Sequence, residues 1–527
     1  MNHFNKNQDQ SPDLKASSNS NSNSNPNFTN PDSKANQHPT RWISESKGNS
    51  LSGKTIVIGV TGSIAAVSIV TLARELIRYG ADVFSVTTDA ACQIIHPNAL
   101  HYATGNPVIT ELSGRVEHVE FFGSKGRGDL LLIAPATANT ISKIAMGIDD
   151  TPVTTFATTA IGEGKKVMIV PAMHESMYRH PKVIENLKTL KSWGIEIVGP
   201  RMEEGIAKIA NNDEIVWRIK RALEENSPST TGFSGTNIFI TSGATAESID
   251  SIRILTNRAS GKTGTALALS AYEKGAEVFL FHRNKLDFDL PHLNEIYVES
   301  ADDMTKSVIQ KIKDEKSTGA KHKNILISAA AISDYTTDKK EEKIKSGKSE
   351  LILSLHPTKK LIEEAKKADP DLLVVAFKAE TAMSFEELMD SAAQKINEGI
   401  ADIVVANNVR EKGMGTDDND VYLVFKDLMI KWIPISGRKE MIADEILKFI
   451  AQNNESKGTT ESDNFTNKFT AASSMNSMML GDKLSEKANE IGDADDENKL
   501  MKDQKESHQK SGRYKKPVQM KGRVFKR

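Results

Sequence analysis

Gly62 and Ser63 stand one residue after an apolar, β-branched run, Thr55-Ile-Val-Ile-Gly-Val60, and directly before a helical pattern that begins at Ile64. A buried strand that turns sharply into a helix offers free backbone N–H groups and the positive end of the helix dipole, a combination that suits a phosphate. Gly59-Val-Thr-Gly-Ser63 matches neither the dinucleotide pattern nor the P-loop. From this turn alone, a phosphate seat and plain strand-to-helix punctuation stay equally open. Three more strands end in the same style, in Thr87-Thr88-Asp89, in Pro135-Ala136-Thr137-Ala138-Asn139 and in Pro171-Ala-Met173-His174. Ligands of open parallel sheets bind beyond the carboxyl ends of the strands. Such loops gathered on one edge therefore describe a planar cofactor that carries a phosphate. His118 lies between the second and third of these strands, just before Val119 and the pair Phe121-Phe122. By spacing alone, a lone histidine is more often an ordinary surface or core residue than a catalyst.

A second group of chemically suggestive residues follows later in the chain. Thr241-Ser-Gly-Ala-Thr245 repeats the strand-end loop, and Arg253, Asn257 and the run Ser260-Gly261-Lys262 lead into a helix from about Thr265. Glycine, serine and lysine at a helix entrance suit a phosphate chain, with a glycine-bearing cap as the competing explanation. Beyond them come Ala329-Ala330-Ala331, Asp334, Lys343, Phe377 and Lys395. Taken singly, the two lysines read as solvated surface charge.

The elements that must position these residues are strands alternating with helices. The first set of strands covers Thr55–Val60, Asp82–Thr88, Asp129–Ala134, Lys166–Pro171 and Ile195–Val198, with helices such as Ile64–Tyr79 and Thr137–Met146 between them. The second set covers Asn237–Thr241, Glu277–Phe281, Asn324–Ala329, Leu372–Phe377 and Asp402–Ala406, then a hairpin of Val421–Phe425 and Ile430–Ile435 and a helix Lys439–Ala451. Near-continuous apolar strands separated by helices predict parallel sheets covered on both faces. The fold class is thus α/β, with two doubly wound parallel-sheet domains at 51–226 and 236–453 joined by a polar linker at 227–235. Residues 1–50, rich in Asn, Ser, Pro and Gln, and residues 454–527, polar with a basic end, have too little apolar surface to offset ordering entropy and read as disordered tails.

Composition narrows the function. A formal net charge of −2 over 527 residues argues against a specific nucleic-acid partner, and the basic terminal stretch reads as a solubilising tail. The single cysteine, Cys92, excludes an intrachain disulfide and a cysteine-based zinc site. No apolar run is long enough to span a membrane and no signal-peptide layout opens the chain, so a soluble, cytoplasmic protein is expected.

Gly62-Ser-Ile-Ala-Ala66, His118, Ala134-Pro-Ala-Thr-Ala-Asn139 and Pro171-Ala-Met173, in this order, resemble the flavin-dependent cysteine decarboxylases and most of all those acting on phosphopantothenoylcysteine. The resemblance implies a flavodoxin-like domain that binds FMN. Its phosphate would sit on Gly62, Ser63, Ile64 and Thr88, and its ring near Pro135, Ala136, Thr137, Ala138, Asn139 and Met173. It further implies His118 as the catalytic base. Loss of carbon dioxide from an unactivated cysteinyl carboxylate leaves a carbanion with no sink, and prior oxidation of the CH–SH carbon to a thioaldehyde supplies one. Two positions depart from the family. His174 stands where relatives place a carboxylate-holding Asn, and the flap segment Gly199–Lys208 lacks the proton-donating Cys of bacterial members. The last proton would then come from His174, Glu204 or water, and Cys92 reads as a small buried residue.

Asn257 with Ser260-Gly261-Lys262, Ala329-Ala330 with Asp334-Tyr335, and Lys343-Ile-Lys345 resemble the phosphopantothenate–cysteine ligases, so that the two resemblances cover the chain between the tails. They imply a fused enzyme of coenzyme A biosynthesis, of archaeal type. Its ligase half would condense 4′-phosphopantothenate with cysteine through an acyl-cytidylate formed from CTP. Lys343 would neutralise the triphosphate, Asp334 would contact the nucleotide or its Mg²⁺, and Asn257 would stabilise the acyl-nucleotide or its collapse. Phe377 and Lys395 would line the nucleotide site with Ala329, Ala330 and Ala331 reading the base through their backbone, and Arg253, Ser260, Gly261 and Lys262 would complete substrate binding. Bacterial members carry a second lysine shortly after the position of Lys395, where this chain has Glu398-Gly399. The resemblance also implies a homo-oligomer of decarboxylase trimers and ligase dimers. A flavin prenyltransferase shares the first domain's fold without explaining the second, and an FMN-binding regulatory protein leaves Lys343 and Asp334 without a role.

Overall fold

A computed structural model describes residues 38–203, 206–224, 232–319, 322–345, 350–381, 384–408, 416–426 and 429–456. Most of the tails expected at 1–50 and 454–527, much of the linker at 227–235, and Glu204 lie outside the described residues. Both sheets belong to one packed unit that ends at Asp444.

The first sheet is built from β1 (Thr55–Val60), β2 (Asp82–Thr87), β3 (Val108–Ile109), β4 (Leu130–Ala136), β5 (Lys166–Pro171) and β6 (Glu196–Ile197). Among the described residues it has six strands in the order β3-β2-β1-β4-β5-β6, all parallel. β1 and β4 are buried almost throughout, which is why their sequences read as unbroken apolar runs. One face packs α1 (Ile69–Arg78) on Ile56, Ile58 and Val60, and the other packs α2 (Glu117–Phe122) and α3 (Ala138–Met146) on Val57, Leu131 and Ile133. This strand order reverses between β1 and β4, and the loops after these two strands face one crevice.

The second sheet repeats that order and extends it. It contains β7 (Thr236–Thr241), β8 (Glu277–His282), β9 (Leu293–Tyr297), β10 (Lys323–Ser328), β11 (Leu373–Glu380), β12 (Ile403–Asn408), β13 (Asp418–Lys426) and β14 (Ile430–Arg438). Among the described residues these eight strands run β9-β8-β7-β10-β11-β12-β13-β14, with β13 and β14 antiparallel as the expected hairpin. Its switch point falls between β7 and β10. α5 (Lys262–Glu273) follows the first phosphate-type turn, and α6 (Phe385–Asn397) lies between β11 and β12 in the chain.

The halves meet through α4 (Asn212–Glu224), the helix that ends the first domain. Lys220 and Glu273 of α5 form a buried ion pair at 2.6 Å, and the Lys220 ammonium lies 3.6 Å from the centre of the Trp217 ring. Arg221 donates to the carbonyls of Tyr272 and Ala276 (both 2.9 Å), where its charge complements the negative end of α5.

Three expectations change. Residues 38–50, assigned to the N-terminal tail from composition, are folded: Pro39–Ile43 form a 3₁₀ turn, Arg41 pairs with Asp82 at 2.5 Å, and Lys47 pairs with Glu75. The helix expected from Ile64 begins as a 3₁₀ turn over Ile64–Ser68 before it becomes α1. β3 and β9 were not anticipated, since β3 is two residues long and β9 is a half-exposed edge strand with polar alternation.

Candidate functional site

Thr61 braces the first switch point. Its buried hydroxyl donates to the Pro135 carbonyl (2.6 Å) and accepts from the Thr137 N–H (3.1 Å), so the loops after β1 and β4 are held as one surface. Gly62 presses against the next loop: a Cβ built there would lie 2.6 Å from Ala90 Cβ, a contact only glycine permits. Ser63 opens the 3₁₀ turn without a side-chain cap hydrogen bond, and Ile64 beside it is 78% exposed. Thr88 accepts from the Ala91 N–H (3.2 Å) and Thr137 from the Thr140 N–H (3.3 Å), each capping the helix that follows its strand. Pro135, Ala136 and Ala138 are buried beneath this surface, and Asn139 is exposed at its edge. The residues expected to hold the flavin are thus gathered along the carboxyl edge of one sheet.

Met173 and His174 sit opposite the flap. Met173 pairs with Ala207 and His174 with Ile206, and Ile206–Lys208 pairs in turn with Arg201–Glu203, so the flap segment is a hairpin laid on these two residues. His174 Nδ1 lies 2.9 Å from Ser176 Oγ and caps the turn after it, which leaves Nε2 as its outward polar atom. His118 is half-buried on α2, and its Nδ1 is enclosed without a hydrogen-bond partner. A buried imidazole nitrogen left unpaired is costly in a purely structural residue and is what an incoming proton donor or acceptor would satisfy. Cys92 is half-buried rather than buried, with Sγ 3.3 Å from Thr87 Oγ1.

The second switch point has the same construction. Thr241 Oγ1 accepts from the Ala330 N–H (3.2 Å), Thr245 Oγ1 from the Ser333 N–H (2.9 Å), and the Gly243 carbonyl from the Ala331 N–H (2.8 Å). Asn257 then donates its amide to the Ala331 carbonyl (3.0 Å), which fixes it against the loop expected to read the base. Ser242 Oγ donates to the Gly261 carbonyl (2.9 Å), and Gly264 comes so close that a Cβ there would lie 2.5 Å from Ser242 Cβ. A cavity of about 160 Å³ lies here, lined in part by Gly243, Asn257, Ser260, Gly261, His282 and Arg283. His282 and Arg283, at the end of β8, had no signal in the sequence. They lie far from the Ser-Gly-Lys run in the chain and are joined to it by the β7–β8 pairing. Burial pushes the His282 pKa down and Glu295, 2.9 Å away, pulls it up, with burial prevailing. Lys262 is not on this cavity and pairs with Asp417 (2.6 Å).

Asp250 ties Arg253 to Ile344, the residue after Lys343. Its carboxylate accepts from the N–H groups of Ile252, Arg253 and Ile344 and from the Arg253 guanidinium (2.7 Å). Burial opposes its charge, but these donors outweigh burial and hold the Asp250 pKa near 2. The 343–345 segment is thereby tethered beside Arg253, with Lys343 itself exposed. Asp334, the expected metal contact, is exposed and paired with Lys360 at 2.5 Å. Among the described residues no group of three or more acidic, His or Cys side chains could hold a metal ion. Phe377 is half-buried on β11 next to Lys378, and Lys395 is half-buried on α6.

Comparison with known proteins matches both halves. A family model described as Flavoprotein covers residues 44–224, and one described as the DNA/pantothenate metabolism flavoprotein C-terminal domain covers residues 233–453. The coenzyme A biosynthesis bifunctional protein CoaBC of Thermococcus kodakarensis is 45% identical over 417 residues, 78% of this chain and 100% of the relative. Its counterpart from Methanocaldococcus jannaschii is 36% identical over 413 residues, 78% of this chain and 96% of the relative. A solved structure, the DNA/pantothenate metabolism flavoprotein from Streptococcus pneumoniae, aligns with a TM-score of 0.36 at 24% identity, covering 41% of this chain and 99% of that one.

Proposed function

Since this chain belongs to the family of the coenzyme A biosynthesis bifunctional proteins, we propose that its two sheets carry out two consecutive reactions on one substrate. The ligase half, assigned to 236–453, condenses 4′-phosphopantothenate with cysteine. The decarboxylase half, assigned to 51–226, converts the resulting phosphopantothenoylcysteine to 4′-phosphopantetheine. The observation that carries this reading is the match at 45% identity over the whole length of a relative named as a bifunctional protein of coenzyme A biosynthesis, with both family models present in order.

In the ligase half, the substrate carboxylate attacks the α-phosphate of CTP, pyrophosphate leaves, and the acyl-cytidylate then yields its acyl group to the cysteine amine with release of CMP. Lys343, tethered through Ile344 to Asp250, stabilises the negative charge that develops on the phosphates. Asn257 and the Ser260–Gly261 turn support the acyl-nucleotide, Arg253 anchors the carboxylate substrate, and the backbone of Ala329–Ala331 meets the cytosine between Phe377 and Lys395. A Mg²⁺ ion fits here only as a companion of the triphosphate, because a single carboxylate, Asp334, is offered to it.

In the decarboxylase half, the Gly62 cradle, the capped helix starts at Thr88 and Thr137 and the orphaned His118 nitrogen fit a flavin, with FMN as the proposed form. Gly62, Ser63, Ile64 and Thr88 would hold its phosphate and Pro135–Asn139 with Met173 its ring. When bound, the flavin supplies a reversible two-electron acceptor for the CH–SH carbon, so the electrons left by carbon dioxide have a sink. His118 takes and returns the proton at the substrate sulfur. His174 Nε2, with Nδ1 committed to Ser176, would donate to the departing carboxylate and protonate the product carbon. A homo-oligomer of decarboxylase trimers and ligase dimers belongs to the same reading, supported by exposed apolar side chains at Ile64 and Val67 in one half and at Leu351, Ile352 and Leu355 in the other. Release of the bound chromophore from purified protein tests the first half: FMN is expected, and flavin-free protein from a flavin-replete host would remove the decarboxylase assignment.

A further inference from the structure

A second cleft, away from both switch points, opens between the two halves. Leu130, Lys166 and Glu196, which line it, are the first residues of β4, β5 and β6, so it lies at the amino edge of the first sheet. The six residues of β5 put about 20 Å between this edge and the loops expected to hold the flavin. Tyr272 at the end of α5 and His292 before β9 close it from the second half, and its volume of about 630 Å³ is that of a small-molecule site. Five of the described residues on its walls are cationic, Lys165, Lys166, Lys191, Arg218 and Arg221, against one carboxylate, Glu196. Glu196 lies 3.4 Å from Arg218, which also pairs with Glu214 (3.0 Å), and Arg218 Nε is enclosed without a hydrogen-bond partner. The Lys165 ammonium reaches a neutral group, the Gly126 carbonyl (3.4 Å), and the Lys191 ammonium meets no carboxylate among the described residues. Charge of one sign gathered in a concave wall draws in ligands of the other sign. The Trp193 indole, 49% exposed, stands in the same wall with Ile161 and Val167 and offers a flat apolar face.

We propose that this interdomain cleft is a nucleotide-binding site separate from the loops at the carboxyl edges, with Lys165, Lys191 and Arg218 meeting the phosphate and Trp193 the base. A phosphate between a guanidinium and two ammonium groups accepts charge-assisted hydrogen bonds, and Arg218 Nε adds a donor that its two carboxylates leave unused. Arg221 and Tyr272 belong both to the cleft wall and to the contact between the halves. A ligand seated here therefore touches both halves and stabilises their contact, which makes the site regulatory in kind. Neither catalytic assignment enters, since none of these residues lies on a switch-point loop.

Equilibrium dialysis of the full chain against AMP, GMP and UMP in turn, with and without excess CTP and Mg²⁺, tests it. At least one of the three should bind, one molecule per chain, and should stay bound when CTP is added. Lys191 and Trp193 are exposed, so Lys191→Glu and Trp193→Leu are expected to fold and, without nucleotide, to melt as the wild type does. Lys191→Glu should weaken binding of that nucleotide about tenfold or more through loss of a charge-assisted hydrogen bond. Trp193→Leu should weaken it about fivefold or more through loss of stacking on the base. The bound nucleotide should also raise the melting temperature of the wild type and leave that of Lys191→Glu unchanged at the same concentration. Absence of binding by all three nucleotides would overturn the proposal. Displacement by CTP would overturn it as well, since the nucleotide would then sit at the ligase loops, and so would unchanged affinity in either variant.

Discussion

Thr61→Val isolates the brace on which the flavin half depends. The substitution keeps the side-chain shape and replaces the hydroxyl by a methyl group at a position that is 1% exposed. It removes the donor to the Pro135 carbonyl and the acceptor for the Thr137 N–H, leaving both groups without their partner. An unsatisfied buried polar group costs about 1–3 kcal/mol, and Thr137 is only half-buried, so the sum is about 2–4 kcal/mol. For a domain of this size that corresponds to a fall of roughly 5–10 °C in the melting of the first domain. Because the loops after β1 and β4 separate when the brace is lost, retained flavin should fall with it, whereas pyrophosphate release by the ligase half should persist. Thermal scans followed by flavin absorbance on the same sample provide the assay. A Thr61→Val protein that melts within about 1 °C of wild type and keeps its flavin would refute the reasoning.

The remaining predictions address the two catalytic halves and their pH dependence. Lys343→Gln should abolish CTP-dependent pyrophosphate release while carbon dioxide release from supplied phosphopantothenoylcysteine continues, and His118→Asn should do the reverse; a variant that loses both activities, or neither, would contradict the division of labour. The folded pKa of His282 lies below its ordinary value near 6.5 because burial outweighs Glu295. The native state therefore binds fewer protons, and stability is present above pH ~6.5 and declines as pH falls towards the lowered folded pKa. Melting measured between pH 8 and 5 should show this decline, and His282→Gln should flatten it; an unaltered slope in that variant would point to another group.

How far the sequence reveals the molecule depends on whether the causes are local. β1, β4, β7 and β10 announce themselves because strands buried on both faces must be apolar throughout, and the turn after β1 shows a glycine, Gly62, where a Cβ would strike the neighbouring loop. β9 escapes notice because an edge strand tolerates polar residues, as Asn294 and Glu295 illustrate. Residues 38–50 look like a tail by composition, yet the order of Pro39–Ile43 comes from partners distant in the chain, Asp82 for Arg41 and the Tyr102 carbonyl for Thr40. The site divides the same way. Motif spacing places Asn257 and Lys343, but it does not show that Asp250 ties Arg253 to the Lys343 segment, that Lys262 is drawn to Asp417, or that Asp334 is held by Lys360. Each of these is a tertiary contact with no local periodicity to betray it.

The central claim is that one chain performs both steps. Its most direct test is incubation of the purified full chain with 4′-phosphopantothenate, cysteine, CTP and Mg²⁺, followed by mass analysis of the products. Formation of 4′-phosphopantetheine with pyrophosphate, CMP and carbon dioxide is the predicted result. Recovery of 4′-phosphopantothenate unchanged would contradict the account, and accumulation of phosphopantothenoylcysteine by flavin-loaded protein would confine it to the ligase half.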